Sequence, residues 1–326
     1  MTQAFGFGWV PSPPDSRDWP VSLLRNMVNL GTAEPVSWEV PNILHQGTTP
    51  RCVGYSIATL CSAAQADAPV DPTVTNELGD RIYLRAKELT GDTNMNQGTY
   101  VRAGAHAAKD MGLISAYAMT DYGEAEAWCT MHGPVVVGIP WFRPMCYPDA
   151  NGVIHAMQGE HVGGHAICWA KNDQPAPENN GLPNTWGRDW GQDGWCYMSD
   201  ADLRASLISQ GEALLAVKNI KVPWSDWGNE DRMAAVYVHA AGLMKGYPDG
   251  TFKPYQNLTL RQVYTVAKRA GLSAPEGWAA MYSPCTRGHV RDTFPEFTWT
   301  QERWGEPLLR RHLAILLYRW KKGSTA

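Results

Sequence analysis

Residues 46–61, QGTTPRCVGYSIATLC, pass from a loop broken by glycine and proline into small and apolar residues at helical spacing. The spacing predicts a helix from Cys52 to Ala66. A helix start gathers unpaired backbone N–H groups and partial positive charge, which favours a thiolate and lowers a cysteine's pKa. Cys52 is thus placed where a sulfur nucleophile would be useful. Six residues before it, Gln46 carries a side-chain amide that the loop can fold back over the sulfur as an oxyanion donor, an arrangement suited to acyl transfer.

A lone cysteine is more often a small buried hydrophobe, so its partners decide the reading. Downstream, Gly163, Gly164, His165 and Ala166 open an apolar run to Ala170, and Asn184, Thr185, Trp186 and Gly187 precede Trp190, Gly191, Gly194 and Trp195. Three segments in this order, with the glutamine at its offset, resemble the papain-like cysteine peptidases. That family's pattern is a Gln-Gly loop leading to the nucleophilic Cys, a Gly-His-Ala strand, and an Asn-Ser-Trp-Gly segment followed by further glycine and aromatic pairs.

The resemblance implies that Cys52 attacks the scissile carbonyl, that His165 forms an ion pair with it and later protonates the leaving amine, and that Asn184 orients the imidazole. It implies that Gln46 and the Cys52 backbone N–H hold the oxyanion, that Trp186 shields the bond between Asn184 and His165, and that Gly98 and Gly164 line the substrate cleft. His165 lies 113 residues after Cys52 and Asn184 lies 132 after it. The family's range is roughly 130 to 150, so the first separation is short, as a trimmed intervening region would make it. The chain departs from the pattern at Thr49, Pro50 and Arg51 before the nucleophile and at Val53 after it. Thr49 removes half of a disulfide common in the family, and Val53 removes an aromatic wall beside the thiol. No metal or organic cofactor is implied.

With 326 residues, 44% hydrophobic and 18% charged, the chain has room for two folded domains. A net charge of −4 leaves no electrostatic footprint for nucleic acid. No stretch approaches the roughly 20 apolar residues of a membrane span, and residues 1–10 lack the basic start and long apolar run of a signal peptide. Seven cysteines, an odd number, leave at least one thiol free, and Cys168 and Cys196 fall on two expected strands where they could pair. No Cys/His metal spacing is present.

Taken in order, residues 1–34 read as an extended lead-in and 35–222 as the papain-like domain, with Pro35 to Glu39 resembling the start of a mature domain of that family. The family's long inhibitory prosegment is expected to be absent or very short, leaving the enzyme in need of another restraint. Residues 74–89 predict a helix with Leu78, Ile82, Leu84 and Leu89 on its apolar side, and 99–111 another; a turn-rich loop at 91–98 separates them. Residues 134–139, 162–170 and 194–198 predict strands. The fold class is α+β: a two-lobed enzyme part with a helical half and a β-rich half, followed by an all-α module. His106, His132, His155 and His161 stand in no matching motif and are read as solvent-facing or structural.

The module, residues 223–326, carries an internal repeat. Tyr247 to Phe252 (YPDGTF) is echoed by Phe294 to Trp299 (FPEFTW), each followed by a helix, 258–270 and 308–320, and each preceded by small residues, Ala234 to Tyr237 and Ala279 to Tyr282. The segment from Gly246 to Pro254 with Leu258 and Thr259 resembles an S-layer homology repeat, here about 226–271, with a degenerate second copy at about 273–322. The resemblance implies attachment to bacterial wall polysaccharide through Arg261, Arg310, Asp249 and Gly250, or self-association, and a location at a cell surface, outside the cell or on a phage particle. Leu260 stands where the first copy's ligand arginine is expected, Arg261 is one place late, and Leu309 with Arg310 keeps the arginine without the threonine. Two copies where three normally close the module imply a hidden third or completion by another chain. Trp224, Trp227, Trp278, Trp299, Trp304 and Trp320 could form an exposed stripe for sugars.

The leading expectation is a cysteine endopeptidase carried on a wall- or assembly-binding module. Two alternatives stay open: a structural or adhesive surface or phage-particle protein with a vestigial peptidase fold, and a hydrolase of peptidoglycan cross-links.

Overall fold

A computed structural model describes residues 5–15, 18–28, 38–65, 74–171, 180–218, 224–227, 232–297 and 303–322. The expected domain start at residues 35–37, the last residue of the first helix, Ala66, and Trp299 lie outside them. The chain divides into two compact units: Met1–Val21 with Leu30–Asn219, and Ser22–Asn29 with Ile220–Ala326.

In the first unit a helical layer is built from α2 (Cys52–Ser62), α3 (Asn76–Thr90) and α4 (Val101–Asp110). Apolar and small residues all round α2 leave every residue but Cys61 buried, so α2 is a core helix rather than a surface one. On α3 the inward side is Leu78, Ile82, Tyr83 and Ala86, whereas Leu84 and Leu89 are exposed. Helical spacing of three and four residues from Leu78 reaches 82 and 86 and misses 84, and Leu89, next to last in the helix, is exposed although it lies on the inward side, which corrects the expected face.

The other layer is an antiparallel sheet of β5 (Ala116–Thr120), β6 (Val135–Phe142), β7 (His161–Trp169) and β10 (Glu212–Val217), ordered β5-β10-β6-β7. Its β-branched strand β6 is almost wholly buried. Helices α5 (Tyr122–Met131) and α6 (Asp200–Ser209) belong to this half, and neither is evident from the sequence patterns above. A short ribbon of β8 (Asn180–Pro183) and β9 (Trp195–Met198) carries Asn184 just past its first strand. Two small pairs complete the unit. β1 (Trp9–Val10) runs parallel to β4 (Thr99–Tyr100), and β2 (Trp38–Glu39) pairs with β3 (Ala64–Gln65). All seven cysteines, including Cys168 and Cys196, are free thiols.

The second unit contains α1 (Val21–Val28) from Ser22 on, α7 (Arg232–Ala240), α8 (Leu260–Arg269), α9 (Arg287–Thr293) and α10 (Arg310–Lys322). Three helix starts in it are equivalent. The backbone N–H of Leu258 donates to Leu308 O at 2.8 Å, Leu308 N–H to Cys285 O at 2.7 Å, and Cys285 N–H to Leu258 O at 2.7 Å, closing a ring. The three ring residues are buried, and each stands two positions before α8, α9 or α10. Residue 285 therefore opens a third repeat unit, compressed between the two the sequence displays. Trp224 and Trp227 are buried against Phe252, with ring centroids 4.2 and 4.8 Å away, so core packing claims part of the expected tryptophan stripe. Among the described residues no helix is long and apolar enough to cross a membrane.

Candidate active site

Cys52 is the first residue of α2, whose N-cap, Arg51, makes no side-chain capping bond. The helix start thus keeps its N–H groups beside the sulfur. His165 lies within β7, paired with Ile139 of β6. Its neighbour Ala166 donates its backbone N–H to Cys52 Sγ at 3.4 Å, and Ser56 Oγ of α2 donates to Ala166 O at 2.7 Å. The two elements are pinned together at the sulfur. Asn184 Oδ1 lies 2.8 Å from His165 Nε2 and accepts the Thr185 backbone N–H at 2.7 Å. An amide oxygen only accepts, so this bond assigns the ring proton to Nε2 and leaves Nδ1 as the basic nitrogen. Nδ1 has no hydrogen-bond partner among the described residues.

Gln46 is held at both ends of its amide. Oε1 accepts from Thr185 Oγ1 at 2.6 Å, and Nε2 donates to Thr49 O at 2.7 Å and to Gly6 O at 3.4 Å. Trp186 packs on the imidazole with ring centroids 4.6 Å apart, and Trp141 lies 4.8 Å away on another side. Cys52, His165, Asn184, Gln46 and Trp186 therefore form one buried cluster. Burial pushes the Cys52 thiol up to about 11, against backbone N–H bonds that lower it. Burial pulls the His165 imidazole down to about 4, against the Asn184 bond that raises it. Burial thus favours the neutral form of each group in this enclosed site and opposes the expected ion pair.

What encloses it is the lead-in. Phe5 packs on Trp186 at 4.6 Å, and Phe7 lies 5.8 Å from Trp186 and 6.3 Å from His165. Gly8 N–H donates to Gly164 O at 3.0 Å, Thr99 N–H donates to Gly8 O at 2.8 Å, and the Gly8 backbone also reaches the Cys52 sulfur. A Cβ at Gly98 would overlap the Gly8 carbonyl, and one at Gly164 would overlap that of Trp9. These cleft glycines let one backbone pass directly over another. Trp9 Nε1 donates to Glu212 Oε1 at 2.7 Å, and Arg102 forks onto Asp18 at 2.6 and 3.0 Å. Beside the strand a cavity of about 500 Å³ remains, lined in part by Phe7, Trp9, Asn96, Gln97 and Thr99.

The rim of this cleft depends on a residue that no motif marks. Lys87 is fully buried on α3, paired with Asp92, and its Nζ donates to Gly98 O at 3.2 Å. Tyr83 OH donates to Gln97 O at 2.5 Å. A lysine among the helix's exposed-looking charges gives no signal in sequence, because its role appears only when loop 91–98 folds back over it.

In the second unit Arg261 and Arg310 line one cavity of about 460 Å³. Asp249 and Gly250 do not. Asp249 Oδ1 accepts the Thr251 backbone N–H at 3.0 Å, and Gly250 takes φ of 78° in the same turn, which accounts for both residue types structurally.

Comparison with known proteins separates the two units. Over 67% of this chain and 98% of its own length, xylellain, a cysteine protease from Xylella fastidiosa, superposes with a TM-score of 0.50 at 15% identity. The proCathepsin B S9 of Trypanosoma congolense overlaps 66% of this chain and 87% of its own, with a TM-score of 0.44 and 13% identity. No curated protein matches the chain in sequence. Residues 236–263 match the S-layer homology domain. The N-terminal two-thirds of the chain has a papain-like fold, and an S-layer homology domain follows it.

Proposed function

We propose that the first unit is a cysteine endopeptidase and that the second attaches it to a wall polymer or an assembly. The observation that carries the enzymatic reading is the 2.8 Å bond between His165 Nε2 and Asn184 Oδ1, made beside a cysteine that opens a helix. That bond leaves Nδ1 free to take the thiol proton. The thiolate then attacks a peptide carbonyl, and the oxyanion is received by Gln46 Nε2 and the Cys52 backbone N–H. The imidazolium returns its proton to the leaving amine, and water, deprotonated by the same nitrogen, hydrolyses the acyl-enzyme.

The lead-in is the restraint on this chemistry. Gly6 O shares the Gln46 donor with Thr49 O, and what meets the sulfur is the backbone N–H of Ala166 and the backbone of Gly8. A thiol facing an N–H has no electrophile to attack, so the strand covers the site without being cut. Substrate must displace it, which rehydrates the pair and lets the ion pair form.

A peptide library profiled with the purified chain and with Cys52→Ala tests the reading. Cleavage lost in the variant and blocked in the parent by an epoxide thiol inhibitor is the expected outcome; equal cleavage by both ends the proposal. The neutral, covered pair also favours a second reading, a binding protein whose peptidase fold is silent. In that case removing residues 1–10 leaves Cys52 as inert to the inhibitor as before. Release of amino groups from purified cell walls, but not from peptides, would identify a cross-link hydrolase instead.

A further inference from the structure

The loop at 91–98, which forms the cleft rim, is held from its inner side. Its carbonyls turn toward α3: Lys87 Nζ donates to Gly98 O at 3.2 Å and to Gln97 O at 3.4 Å, and Tyr83 OH donates to Gln97 O at 2.5 Å. Asp92, near the start of the same loop, pairs with the Lys87 ammonium. An ammonium carries three N–H donors, and these three acceptors use every one of them. Lys87 is wholly buried, so water does not compete for the bonds.

The orientation of one peptide follows. The bond between Gly98 and Thr99 is trans, and a trans peptide sends its C=O and its N–H in opposite directions. With Gly98 O drawn inward onto Lys87, the Thr99 N–H faces the cleft, where it donates to Gly8 O at 2.8 Å. Gly8 is bonded on its other side to Gly164 O and also reaches the Cys52 sulfur. The extended strand in the cleft is thus met from the rim by one N–H, and Lys87 sets where that N–H points. Glycine at 98 offers little resistance to a turn of this peptide, so the ammonium rather than the backbone fixes it.

The same cluster reaches the nucleophile. The Tyr83 ring lies 5.8 Å from Lys87 Nζ and 5.5 Å from the Arg51 guanidinium, and Arg51, the residue before Cys52, pairs with Asp80 of α3 at 2.8 Å. Tyr55 OH of α2 donates to the same Asp80 oxygen at 3.0 Å. A Cβ at Gly54 would overlap Gly79 O, so the two helices touch through their backbones. Rim and sulfur are therefore held to one frame, α2 packed on α3.

We propose that Lys87 is a positioning residue for the substrate main chain: it holds the Gly98 carbonyl inward so that the Thr99 N–H receives a carbonyl of an extended peptide, in the place that Gly8 O takes in the covered site. The inference rests on the reading of the first unit as a peptidase and adds a requirement for a peptide long enough to reach the rim. Lys87 touches no reacting atom; its effect passes through one peptide group.

Lys87→Met, which keeps the length of the side chain and removes its donors, tests this in the full chain. The readout is the ratio of kcat/KM on a long peptide to kcat/KM on an amino-acid ester too short to reach Thr99. The lead-in loses the same bond as the peptide, so its easier release affects both substrates equally and cancels in the ratio. The expected result is a fall of about tenfold in the ratio, the worth of one main-chain hydrogen bond. Deuterium exchange of the Thr99 amide, slowed in the parent by its bond to Gly8 O and followed by NMR, should quicken by about tenfold or more while the amides of β6 keep their parental rates. Should Lys87→Met fail to fold, Asp92→Asn, at a half-buried side chain, removes the counter-charge instead and should lower the ratio about threefold. An unchanged ratio with both rates lowered together marks a purely structural lysine and overturns the inference, as does a Thr99 amide equally protected in Lys87→Met and in the parent. A parent chain that cleaves neither substrate overturns the peptidase reading and the substrate role of Lys87 with it, whereas the exchange measurement decides separately whether Lys87 turns the peptide.

Discussion

Asn184 shows at the scale of one residue how the site is held. Its Oδ1 accepts from both His165 Nε2 and its own neighbour's N–H, so the imidazole is fixed in tautomer as well as direction. Asn184→Ala leaves the buried Nε2–H without a partner, and we expect a loss of about 1–3 kcal/mol in stability together with a fall in kcat, read by urea unfolding and peptide hydrolysis. Gln46→Ala removes the oxyanion donor and also the partner of Thr185 Oγ1 and Thr49 O, so it should lower kcat by about a hundredfold to a thousandfold with little change in KM and cost about 1–3 kcal/mol of stability as well. The same burial that orders these groups sets a pH window. His165 has its pKa lowered from 6.5 to about 4, so its neutral form contributes stability fully above pH 6.5, and this is lost as pH falls toward 4. Cys52 is raised from 9.0 to about 11, so its contribution is complete below pH 9 and is lost as pH rises toward 11. Urea midpoints should be flat between those windows and drop at each end, the acid limb by on the order of 3 kcal/mol. In His165→Gln the acid limb should shrink; an unchanged limb would show that other groups drive it.

At the scale of elements the decisive pairing is β1 on β4, which carries the lead-in across the cleft. Removing residues 1–10 should raise the alkylation rate of Cys52 by iodoacetamide at neutral pH and increase peptide hydrolysis on the order of tenfold or more, since the open form no longer competes with the covered one. A truncated chain no faster than the parent on either measure removes the strand from regulation. The core helix and the grouping of the candidate site were legible in sequence because each is marked locally: a helix begins at Cys52, and His165, Asn184 and Gln46 each stand beside glycines or aromatics in short motifs. The lead-in was not, although Phe5, Gly6, Phe7, Gly8 and Trp9 alternate ring and glycine at strand period, because two residues of pairing carry no hydrophobic pattern of their own. The third repeat was hidden for a related reason. Thr286 caps α9 as Thr259 caps α8, yet no glycine turn like that at 246–250 announces it, and only the hydrogen-bonded ring at Leu258, Cys285 and Leu308 sets the register. Lys87 belongs to no motif either and acquires its role from a loop that folds back on it.

At the scale of the whole molecule, every group assigned to peptide hydrolysis lies in one compact unit and every group assigned to polymer binding lies in the other. The two chemistries also differ in kind. The proposed acyl transfer rests on a pair that ionises only when uncovered and on fixed N–H donors, whereas the proposed polymer binding rests on exposed cations that added salt screens. The functions should therefore separate cleanly by substitution. Cys52→Ala should abolish hydrolysis and bind purified wall polysaccharide with parental affinity, and Arg261→Gln should weaken that binding while cleaving a soluble peptide at the parental rate. Measuring both activities on both variants, at low and at high salt, gives a four-way comparison in which only binding responds to ionic strength. A loss of hydrolysis in Arg261→Gln, with the chain still folded by circular dichroism, would mean that the cavity takes part in cleavage, and the division of labour between the two units would have to be abandoned.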